Sequence, residues 1–173
     1  GQQCVKKSTA TRKRFGSPAE PTTGSLPEPM GTAAPIDEAV VERFFERSQT
    51  HPLVETVTGD QTGGTLTVVR ATLDLEQYPD RIQEAKLELR WYTNGDYNFH
   101  YTETHASGES WHCRWDRHPN PHTTRTHFHP PPATRSGGAV PDSSSDHHPS
   151  AMLARTVANI RAQIKDLWDV SVR

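Results

Sequence analysis

KLELRWYTNGDYNFHYTE, residues 86–103, decides the fold. Asn94-Gly95-Asp96 is a hairpin turn between two runs in which apolar and polar residues alternate. A two-residue loop would set Trp91 opposite Asn98 and Leu89 opposite His100, whereas a three-residue loop pairs Trp91 with Phe99 and Leu89 with Tyr101. Only the second pairing separates oil from water. It predicts one face of Leu87, Leu89, Trp91, Phe99 and Tyr101, and an opposite face of Glu88, Arg90, His100 and Thr102. A third strand over residues 109–115 continues both faces, with Trp111, Cys113 and Trp115 on the apolar side and His112 and Arg114 on the polar one.

Working outward, Ile36, Val40, Val41, Phe44 and Phe45 recur at helical spacing, which predicts an amphipathic helix of about three turns. Pro35 fits its first turn, and Pro52 ends it near Ser48. Residues 59–64 read as a turn-rich break, and residues 65–73 as a β-branched strand. RHPNPHTTRTHFHPPP, residues 117–132, is too rich in proline for a helix or a central strand, and the Gly/Ser/Asp stretch to Asp146 continues this irregular segment. Ser150 then caps a last helix whose stripe is Leu153, Val157, Ile160, Ile164 and Leu167 or Trp168. The expected class is α+β: a small twisted antiparallel sheet of about four strands, with an N-terminal and a C-terminal helix on its aromatic face.

A chain of 173 residues with 32% hydrophobic content supports one modest core, here placed in residues 30–173 as a single domain with an irregular section at 117–149. Residues 1–29 lack apolar periodicity, precede Met30 as an alternative start, and read as disordered or as a non-native extension. The chain has 19 basic and 21 acidic residues, of which only five and two lie before Met30, so the body is acidic and is no bulk polycation. After Met30 the bases are arginine except Lys86 and Lys165, a bias shared by salt-loving archaeal proteins and by high-GC coding. No apolar run suits a membrane span, which predicts a cytoplasmic protein. Cys4 and Cys113 stand far apart, which argues against a structural disulfide and excludes a cysteine-only zinc site.

Chemistry gathers late in the chain, with nine of the ten histidines between His100 and His148. On the predicted sheet Arg90, His100, His112 and Arg114 share the uncovered face, and Glu103 or Asp116 could orient an imidazole. Imidazole exchanges protons near neutral pH and guanidinium forks onto phosphate, which together match metal-free RNA cleavage. The plain alternative is a polar face that only keeps the sheet soluble. His118, His122, His127 and His129 with Asp116 form a second group, with Arg125 between them: phosphate contact, structural packing and a metal site at His127 and His129 all remain open. Trp91, Trp111 and Trp115 could stack bases, but the register assigns them to the core. No phosphate-binding glycine loop or serine elbow supports nucleotide hydrolysis or serine catalysis.

The runs YNFHYTE (97–103), WHCRWDRHPNPH (111–122) and THFHPPP (126–132), followed by an amphipathic helix, resemble the TumE-type toxins of bacterial and archaeal toxin–antitoxin pairs. The resemblance spans residues 65–170. It implies a toxin neutralised by a cognate antitoxin, often one carrying a helix-turn-helix domain, with ribonuclease activity inferred for the family; the residues themselves call for no cofactor, a metal at His127 and His129 being the alternative. Its motif positions fall on His100, Tyr101, Arg114, Trp115, Asp116, His118, His122, His127 and His129. The expected catalytic set is His100, Arg114, Asp116 and His118, with Arg90, His112, His122, Arg125, His127 and His129 binding RNA. A noncatalytic nucleic-acid- or partner-binding module and a histidine-rich metal protein are the alternatives.

Overall fold

Alternation of side chains in the central hairpin propagates into a sheet much wider than the sequence suggests. The computed structural model describes residues 34–143 and 147–171. The first 29 residues, expected to be disordered or extraneous, lie outside that range. In chain order the elements are α1 (Glu38–Gln49), β1 (Val54–Thr62), β2 (Thr65–Leu73), β3 (Ile82–Trp91), β4 (Tyr97–His105), β5 (Ser110–Arg117), β6 (Thr126–His129), β7 (Val140–Pro141) and α2 (Pro149–Ser171). All seven strands form one antiparallel meander in sequence order, against the four or so expected.

Three strands escaped the sequence reading for physical reasons. Strand β1 is an edge with mostly exposed side chains and no buried stripe, so its pattern resembles a loop. Its supposed turn region is mostly strand: only Gly63 and Gly64, with φ of 60° and 86°, make the hairpin turn to β2. Strand β6 is the short proline-free window inside the His/Pro-rich segment, paired with β5 through Arg114↔His129, Trp115↔Phe128, Asp116↔His127 and Arg117↔Thr126. Strand β7 is a two-residue edge where Pro141 costs no interior hydrogen bond.

The register of the central hairpin also differs. Trp91 pairs with Tyr97, Leu89 with Phe99 and Leu87 with Tyr101, two residues away from the predicted pairing. Tyr92 through Asp96 make the connection, with Tyr92 N–H bonded to Asp96 O and Gly95 N–H to Tyr92 O. A two-residue slide preserves side-chain parity, so both faces keep their predicted residues.

Both helices lie on the aromatic face. Helix α1 starts at Glu38, three residues later than Pro35 suggested, because the Asp37 carboxylate caps Val40 N–H at 3.2 Å. Ile36 instead bridges Tyr92. Phe44 meets Trp91 and Phe99 edge-on, at centroid distances of 6.1 and 5.4 Å. Helix α2 begins at Pro149, so Ser150 lies inside it, and it adds Met152, Ile160, Ile164 and Leu167 to the same core. Trp168 is largely exposed and reaches Gln77 O through its indole N–H. Glu103, considered as a partner for the open-face histidines, points instead to the helix side: it is fully buried, accepts from Tyr101 Oη at 2.7 Å and lies 3.4 Å from His105 Nε2. The odd parity of position 103, shared with Tyr101, decides this.

Candidate functional site on the open sheet face

Strand pairing sets the polar side chains in two cross-strand rows. One runs Glu88, His100, Arg114, His129 over β3 to β6; the neighbouring one runs Arg90, Asn98, Asp116, His127. Alternation along β4 and β5 points both rows away from the helices. His112 extends the face, its Nδ1 3.1 Å from Thr102 Oγ1.

Asp116 lies in β5, not beyond it, and is the hub. It has no exposed surface. Its Oδ1 accepts from Asn98 Nδ2 at 2.6 Å and its Oδ2 from Arg114 Nε at 2.6 Å. Around the same Oδ2 stand the Nε2 atoms of His129 at 3.1 Å, His118 at 3.4 Å and His127 at 3.7 Å. Burial alone would raise the carboxyl pKa, but hydrogen bonding to His118 and His129, with the Arg114 charge, holds it well below the usual range. His118 is raised by hydrogen bonding to Asp116. His127, fully enclosed, is lowered by desolvation.

His100 has a different character. Burial first, then the neighbouring His112 and Arg114, lower its pKa to about 4, and its Nε2 is buried with no hydrogen-bond partner. Its ring stacks on His112 at 5.4 Å with 26° between planes, and desolvation lowers His112 as well. Both imidazoles are therefore neutral at pH 7.

Eight of the ten residues singled out in the sequence thus meet on this face: Arg90, His100, His112, Arg114, Asp116, His118, His127 and His129. Two do not join them. Arg125 forks onto Asp96, Nε to Oδ1 at 3.0 Å and Nη2 to Oδ2 at 2.7 Å, beside Arg117 Nη1 at 3.1 Å. His122 is exposed in the β5–β6 connection, its N–H on Asn120 Oδ1. The sequence reading missed Asn98 and Asn120, which donates towards His127 Nε2 at 3.2 Å. Asn98 was findable, since it stands two positions before His100 and so shares its face; Asn120 had no signal short of the loop's path.

Residues 41–169 match the family model described as Toxin TumE. The chain belongs to the TumE toxin family. The TumE match runs from α1 through α2 and takes in every residue of the cluster just described. No curated protein and no solved structure gave a match. Among the described residues of this TumE-type toxin, no helix is long and apolar enough to cross a membrane.

Proposed function

We propose that this toxin acts on RNA, as a ribonuclease whose chemical step uses the histidine and arginine side chains of the open sheet face and no metal ion. The observation that carries the reading is the stacked His100–His112 pair directly beside Arg114, which pairs with His100 across the strands. An imidazole pair next to a guanidinium supplies the base, the proton return and the phosphate cation that such cleavage needs. The 2′-oxygen attacks the adjacent phosphorus, the 5′-oxygen leaves, and a 2′,3′-cyclic phosphate forms. The proton removed from the 2′-hydroxyl is the one that the 5′-oxygen requires, so a pair of neutral imidazoles relays it without net change.

Both rings are partly exposed; His112 holds its Nδ1 against Thr102, and the Nε2 of His100 is buried. Arg114 and Arg90 face the phosphate, while Asp116, out of reach of solvent, fixes Arg114. A cognate antitoxin, of the kind that often carries a helix-turn-helix domain, would neutralise the toxin. Induced expression should arrest growth and yield RNA fragments ending in 2′,3′-cyclic phosphate and 5′-hydroxyl groups. His100→Ala, His112→Ala and Arg114→Ala should each relieve arrest while keeping the circular dichroism of the parent. Intact RNA with undiminished arrest would remove the ribonuclease reading, and arrest in all three variants would remove this face.

A further inference from the structure

Three imidazoles in the buried part of this face share one hydrogen-bond arrangement. His118 Nδ1 lies 2.8 Å from Pro119 O, His127 Nδ1 3.0 Å from Thr124 O, and His129 Nδ1 3.3 Å from Arg135 O. A ring nitrogen against a carbonyl oxygen must carry the hydrogen, so in each neutral ring the lone pair sits on Nε2. All three Nε2 atoms converge on Asp116 Oδ2, at 3.4, 3.7 and 3.1 Å. Lone pairs gathered about a carboxylate oxygen repel one another unless a proton on one of the rings or a metal cation lies among them.

Arg114 answers part of that demand, bonding both Asp116 Oδ2 and His129 Nε2, and Asn120 Nδ2 stands 3.2 Å from His127 Nε2, a contact that an ion would replace. It leaves His118 without a second partner: this residue is 8% exposed, and its buried Nε2 faces the same Asp116 Oδ2 at a long 3.4 Å with no other hydrogen-bond partner. The donor atoms of Asp116, His118 and His127 lie within 4.8 Å of one another. Four ligands at zinc bond lengths of about 2.0–2.1 Å stand roughly 3.4 Å apart, so the set closes on an ion by small side-chain movements. Backbone carbonyls that hold the far nitrogen of each imidazole are the usual support of metal-ligating histidines.

We infer that Asp116, His118 and His127, completed by His129 as it turns from Arg114, bind a structural zinc ion. Enclosed ligands suit a closed structural centre, and a set of three imidazoles and one carboxylate suits zinc over the hard cations. The ion would clip the connection between β5 and β6 to the sheet. The inference does not need the RNA reading, because the ion takes no part in cleavage, although Asp116 and His129 also hold Arg114.

The test uses the full chain without an affinity tag, purified with zinc present and then dialysed against metal-free buffer. Elemental analysis should give about one zinc per chain, lost in His127→Ala and in Asp116→Asn but kept in His122→Ala. Stripping the metal should lower Tm by at least about 5 °C, and zinc should restore it. If the variants unfold, cobalt(II) bound to the parent decides: intense visible bands of a four-coordinate ion support the site, and the weak bands of a six-coordinate ion overturn it. A metal-free parent with a chelator-insensitive Tm overturns the inference, as does zinc retained in folded His127→Ala and Asp116→Asn, which would be an adventitious ion only. RNA cleavage, scored separately by its product termini, reports on the other reading alone.

Discussion

Asn98 and Asp116 face each other across β4 and β5, and the amide Nδ2 donates to carboxylate Oδ1 at 2.6 Å with neither residue more than 4% exposed. A carboxylate can stay ionised in such a place only if hydrogen bonds and charges replace its lost water. Asn98 serves one oxygen and Arg114 the other.

Removing the hub should therefore cost far more than removing one spoke. Asp116→Ala strands a guanidinium and several imidazole nitrogens, and its expected cost is about 3–5 kcal/mol in urea unfolding. Asn98→Ala leaves one carboxylate oxygen unserved and should cost about 1–3 kcal/mol. Equal costs would mean that Asp116 is not the organiser of this region.

Asp96 forms a second buried anchor, where Arg117 and Arg125 from opposite ends of the β5–β6 connection meet the β3–β4 turn. Asp96→Ala should lose about 3 kcal/mol or more, because it unpairs two cations around a fully enclosed site. Arg125→Ala should lose about 1 kcal/mol or less, since that side chain is 44% exposed and water replaces its contact. Chemical denaturation of the two variants side by side checks the asymmetry.

His100 should remain uncharged well into acid. Its pKa falls from 6.5 in the open chain to about 4 in the fold, with burial the main cause. Below 6.5 the unfolded chain binds the proton that the folded one refuses. This contribution to stability is thus fully present above pH 6.5 and is lost as pH falls through about 4. The His100 Cε1–H resonance should titrate near that value, and His100→Gln should unfold at lower pH than the parent. A midpoint near 6.5 for His100 would show that the ring is solvated.

Cys113 should be chemically silent in the folded protein. It is 3% exposed beneath α2, and burial, aided by the Glu103 charge, pushes its thiol up to about 12. The thiolate is the reacting form, so iodoacetamide at pH 8 should label Cys113 only after denaturant is added. Prompt labelling of Cys113 in native buffer would mean that α2 opens readily.

By itself the sequence determined which side chains share a face. Parity along a strand is a local property, so Leu89, Trp91 and Phe99 were assigned to the core, and His100, His112 and Arg114 to the other side, even though the hairpin register was misplaced by two residues. The two helices were equally legible from their apolar stripes. The width of the sheet was not, because β1, β6 and β7 are edge or short strands whose residues carry no buried alternation. Nor was the assembly around Asp116. His127 and His129 reach it only because β6 pairs with β5, and His118 because the loop turns back over the face. Arg125 and His122 sit among them in the sequence and are directed elsewhere by the same pairing. Hydrogen bonds between consecutive strands made those choices, and their register depends on the path of the β5–β6 connection, which no alternation of side chains announces.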